Sequence, residues 1–138
     1  MSAYLSYADA VKSRLESVPE LASASVVVQR NLDVKTELDR ALAKTKGALI
    51  VISWQGAELN ERNLTTDARY EVEVITKPIL RKDEVPTAAL VENVITALHK
   101  WHGDQHCIMA LTAETVTLNE DPKFLSYSIS FNTKIHLT

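Results

Sequence analysis

DARYEVEVIT, residues Asp67 to Thr76, alternates without a break. Successive side chains of a strand point to opposite sides, so Ala68, Tyr70, Val72 and Val74 share one face while Arg69, Glu71 and Glu73 share the other. This is the pattern of a strand buried on one side only. It predicts a sheet with one face against a core and one face polar, which favours antiparallel pairing over a fully covered parallel sheet.

Upstream, ALIVISW (Ala48 to Trp54) is an apolar run, broken by Ser53 alone, and of strand length, as expected for a strand central in the sheet or covered on both sides. Between the two runs, QGAELNERNLTT (Gln55 to Thr66) is polar and reads as the longest loop. Downstream, Pro78 weakens strand pairing and KDEVP leads into a helix from about Pro86. In that helix Leu90, Val91, Val94, Leu98 and Trp101 form one stripe, and Gly103 is its expected stop.

The rest of the chain follows the same rules. Ala8, Val11, Leu15 and Val18 recur at helical spacing from Tyr4 onward, and Pro19 ends the stripe. SVVVQ (Ser25 to Gln29) is β-branched and reads as a strand. Asp33 can cap a second helix carrying Val34, Leu38, Ala41 and Leu42 on one face, with Gly47 just past its end. Ala110 to Leu118 is a threonine-rich strand, NEDPK a turn, and Phe124 to Leu137 a long final strand. In the final strand Leu125, Tyr127, Ile129, Phe131, Ile135 and Leu137 oppose Ser126, Ser128, Ser130, Asn132, Lys134 and His136. Unbroken, it would reach about 40 Å, the width of a domain of this size. The expectation is a single domain over residues 1–138 of class α+β. Helices pack on one face of a mostly antiparallel sheet, in the order α-β-α-β-β-α-β-β.

Composition narrows the chemistry. A chain of 138 residues with a formal charge of -3 and a pI near 5.8 lacks the clustered basic surface that nucleic-acid binding requires. Its three glycines are too dispersed for a GxGxxG turn or phosphate loop, and there is no GxSxG, HExxH or CxxC motif. The opening residues do not resemble a signal peptide, and no apolar window suits a membrane span. With one cysteine and no leader, the expected location is inside the cell that makes the protein.

HKWHGDQHCIM (His99 to Met109) gathers three of the four histidines and the only cysteine. A metal site here would use His99, His102, His106 and Cys107. Helical geometry disperses His99 and His102, His106 lies beyond Gly103, and the spacing matches no common zinc pattern. Cys107 follows the negative end of a helix and precedes apolar residues, both unfavourable to a thiolate. The expectation is therefore no catalytic residue, no cofactor and no metal. The rival reading is a small metal- or ligand-binding enzyme domain using His102, His106 and Cys107.

The polar surface offers more. Glu71 and Glu73 lie two residues apart beside Arg69, as an acid-base pair or as solvated charges. Glu58, Glu61, Arg62 and Asn63 crowd the expected loop. Ser126, Ser128, Ser130 and Asn132 form a nearly uncharged row that a partner can cover with little desolvation cost. Glu58, Glu61, Arg62, Asn63, Arg69, Glu71, Ser126, Ser128, Ser130 and Asn132 are accordingly the candidate interface.

The succession RYEVEVIT (Arg69 to Thr76), AALVENVITALHKW (Ala88 to Trp101) and FLSYSISFNTKIHL (Phe124 to Leu137), after the opening helix VKSRLESVPEL, resembles small bacteriophage tail-terminator and tail-completion proteins such as minor tail protein U. The resemblance is one of element order, so no individual functional position is carried over. It implies a non-catalytic structural protein of the virion tail, assembled in the bacterial host cytoplasm. Copies, usually six, would form a ring that ends polymerisation of the tail tube and joins the head-tail connector. Its partners would be other copies, the tube protein and the connector protein, with an acidic surface keeping passing DNA from sticking.

Overall fold

The computed structural model describes residues 3–22, 24–29, 48–60, 65–76, 87–102, 111–121 and 124–136. Helix α1 spans Ala3–Glu16, strand β1 Ala24–Val28, β2 Ala48–Asn60, β3 Thr65–Thr76, helix α2 Thr87–Leu98, β4 Thr112–Asp121 and β5 Phe124–His136. A single 3-10 turn, Pro19–Leu21, follows α1. The strands form one sheet of five in the order β1-β2-β3-β5-β4. The class is α+β as expected, with a mixed, mostly antiparallel sheet. β1 and β2 are its parallel pair.

The order of described elements, α-β-β-β-α-β-β, is not the expected one. The helix expected after Asp33 lies outside the described residues. A second correction concerns the long loop expected from Gln55 to Thr66. β2 continues to Asn60 and β3 begins at Thr65, so residues 61–64 alone separate them. The added pairs run from Gly56 opposite Arg69 to Asn60 opposite Thr65. Backbone pairing holds this ribbon without an apolar sequence, because Thr65 to Arg69 are also paired with β5 on their other side. Gly56, at φ +127°, absorbs a bulge between Trp54 and Gly56.

The core lies where the alternation places it. Ala68, Tyr70, Val72 and Val74 of β3 are buried with Ile50 and Ile52 of β2 and Ile129, Phe131 and Ile135 of β5. Tyr7, Ala8, Val11 and Leu15 of α1, and Leu90, Val91, Val94, Ala97 and Leu98 of α2, cover that face. Polar contacts lock the layers together. Tyr70 Oη donates to the Tyr4 carbonyl at 2.8 Å, Arg14 Nε donates to the Ala97 carbonyl at 3.1 Å, and the Thr76 and Thr87 hydroxyls meet at 2.7 Å. The second face has a smaller apolar cluster, Leu49, Val51 and Ile75 with Val27 against it. Hence Ala48 to Ile52 is apolar without a break because this half of β2 is buried on both faces of the sheet.

α2 stops at Leu98, short of the expected Gly103. Lys100 adopts φ 65°, the left-handed conformation usual just past a helix end, so a lysine does what glycine was expected to do. Its amide donates to the Leu111 carbonyl at 2.7 Å, and the Leu111 amide donates to the Trp101 carbonyl at 2.9 Å. The end of α2 is thereby tied to the start of β4.

Candidate functional site

Face parity decides which candidates meet. Glu58, Arg69, Glu71, Ser126, Ser128, Ser130 and Asn132 all lie on the sheet face opposite the helices, since each pairs with a residue of that face. Glu58 is exposed opposite Asp67, and Arg69 is exposed between Gly56 and Asn132. Glu71 is half-buried between Ser53 and Ser130. Glu61, Arg62 and Asn63 lie outside the described residues.

The serine row differs from the open surface expected of it. Ser126 and Ser128 are buried, and Ser130 and Asn132 are half-buried. Ser126 and Ser128 take part in a hydrogen-bonded network spanning three strands. Ser126 Oγ donates to Glu73 Oε1 at 2.7 Å, while Asn119 Nδ2 donates to Ser126 Oγ at 3.1 Å and to Ser128 Oγ at 2.6 Å. Glu73 and Asn119 thus belong to the site although they were not among its candidate residues. Asn119 stands two residues beyond Thr117 on the polar side of β4, but only the pairing of Asn119 with Ser126 brings it to Glu73.

This arrangement makes Glu73 an acceptor held by a hydroxyl. Towards the projecting end of the sheet, a Cβ at Gly56 would sit 3.9 Å from Arg69 Nη2, which places the guanidinium beside the bulge. Asn132 Oδ1, across from Arg69, is buried without a hydrogen-bond partner among the described residues. On the helix side of the same region, the Tyr4 and Trp54 rings stack with centroids 4.2 Å apart and Leu59 is 72% exposed. The face opposite the helices combines short polar side chains with mixed charge, acidic in the majority. That combination suits contact with another protein surface.

The histidine cluster resolves differently. His99 Nδ1 accepts the Ala113 amide at 3.2 Å, so this ring serves the α2–β4 junction. His102 is exposed. His106 and Cys107 lie outside the described residues. Among the described residues no group of three or more His, Cys, Asp or Glu is placed to hold a metal ion, and no helix is long and apolar enough to cross a membrane.

No protein-family model matches the chain, and comparison with curated proteins gives no significant match.

Proposed function

We propose that this chain is a structural protein of a phage or prophage tail. Copies of it form a ring, six by analogy with the tail-terminator proteins it resembles, that caps the tail tube, ends its polymerisation and joins the head-tail connector. The observation that carries this reading is the sheet face opposite the helices. Ser130 and Asn132 are half-buried there and Arg69 is exposed, a short and lightly charged row that a partner can cover at little desolvation cost. Beside this row the paired ends of β2 and β3 carry Glu58 and Asp67 on the same face, with Leu59 exposed on the other, towards residues 61–64. That end is the contact with the tube or neck, and Glu61 and Arg62 contribute to it from the connection.

Light scattering and negative-stain microscopy of the purified chain test the ring. Rings that grow in with concentration support the reading, and a chain that remains monomeric removes it. Binding of wild type and of Glu58→Ala/Glu61→Ala/Arg62→Ala to isolated tail tubes tests the contact. A drop of tenfold or more is expected, and undiminished binding discards this end as the contact.

A further inference from the structure

The sheet has two edges, and they differ. β1, Ala24–Val28, lies at one edge and β4 at the other; among the described residues no further strand pairs with either. β4 is closed at its start, because His99, Lys100 and Trp101 bond to Leu111 and Ala113. Beyond that point Thr115 to Asn119 is open, five residues against the five of β1. On the helix side of this stretch Val116 and Leu118 are 48% and 51% exposed, although they pair with Ile129 and Tyr127 of the core face. An apolar pair on an open edge is a template for another strand.

We propose that this edge takes β1 of a second copy, so that successive protomers join head to tail into one continuous sheet. The inference rests on the ring reading and names the junction that builds the ring. Strand direction favours it. Across β1-β2-β3-β5-β4 the chain runs up, up, down, up, down. A β1 placed beside β4, with the helices of both copies on the same face, therefore runs antiparallel to it. Face parity admits the register that sets Val116 opposite Val28 and Leu118 opposite Val26, apolar on apolar, while Asn119 meets Ser25 on the other side.

Charge disfavours the alternative of two β4 edges together. β4 carries Glu114, Glu120 and Asp121 and no basic residue. Antiparallel self-pairing centred on Thr117 would set Glu114 opposite Glu120 at both ends. β1 is uncharged. A head-to-tail contact is heterologous and closes into a ring when the rotation between copies permits, whereas a β4–β4 contact stops at a dimer.

The test blocks one edge at a time. Val116→Lys/Leu118→Lys alters side chains exposed in the monomer. Ser25→Glu/Val28→Pro alters β1, where the Gln29 amide bonds the Ile52 carbonyl and alternation turns the Val28 amide outward. Sedimentation and circular dichroism are compared with wild type. Each variant is expected to be folded and monomeric where wild type forms rings, with association weakened at least a hundredfold. An equimolar mixture of the two has one intact junction and gives heterodimers without rings. Rings that persist in the Val116→Lys/Leu118→Lys variant overturn the junction and leave the ring reading standing. A mixture that stays monomeric overturns the head-to-tail arrangement, and a wild-type chain that never associates overturns junction and ring together. Should the β1 variant unfold, the β4 variant alone decides.

Discussion

The two halves of β2 belong to one strand and one ladder with β3, yet they live in different surroundings. From Ala48 to Ile52 the strand is flanked by β1 as well as β3, and Leu49, Ile50, Val51 and Ile52 are buried on both faces. β1 ends opposite Ile52, so beyond it β2 becomes an edge of the described sheet. There the sequence changes to Gln55, Gly56, Ala57, Glu58 and Leu59, half-buried or exposed. The same hydrogen-bonded backbone can therefore be core in one half and surface in the other. Side-chain character follows the neighbours that tertiary structure supplies.

Substitutions along the strand sharpen or break this contrast. The largest effect is expected at the central half. Ile52→Ala removes a fully buried side chain from the main core and should lower unfolding free energy by about 3 kcal/mol in denaturant titration; a loss under about 1 kcal/mol would mean that this half is not core. At the bulge, Gly56→Ala meets no crowding, since the nearest heavy atom is 3.9 Å away. Its cost comes from φ +127° and should be about 2 kcal/mol, accompanied by faster amide exchange in residues 57–60 than in residues 49–52.

At the boundary, Tyr70 pairs with Trp54 and holds α1 through its hydroxyl. Tyr70→Phe deletes that bond and should cost about 1 kcal/mol, read as a lowered midpoint with unchanged denaturant slope. Smallest is the expected effect at the outer half, where Leu59→Ser should change stability by no more than about 0.5 kcal/mol while weakening the proposed attachment to tail tubes. A large loss of stability there would show that Leu59 supports the fold, and equal attachment would remove it from the contact.

The contrast also explains what could be read in advance. Alternation in β3 and in the described part of β5, and the stripes of α1 and α2, were legible because periodicity is a local property tied to one packed face. Gln55 to Asn60 reads as loop from its polarity, whereas an edge strand needs only backbone partners. Within the candidate interface, residue type indicated that Ser126 and Ser128 were polar, but not that Asn119 and Glu73 would hold them. In the same way, Val116 and Leu118 carry the signature of a buried strand and lie exposed.

From its sequence alone this protein determined the α+β class, the two faces of β3 and the helical stripes that cover one of them. Tertiary structure decided the parallel placement of β1, the reach of β2, the polar network and the edge on which Val116 and Leu118 are exposed. The division has a physical cause. A side-chain period is written within a few consecutive residues, whereas pairing and burial arise between positions such as Thr65 and His136 that only the folded chain brings side by side.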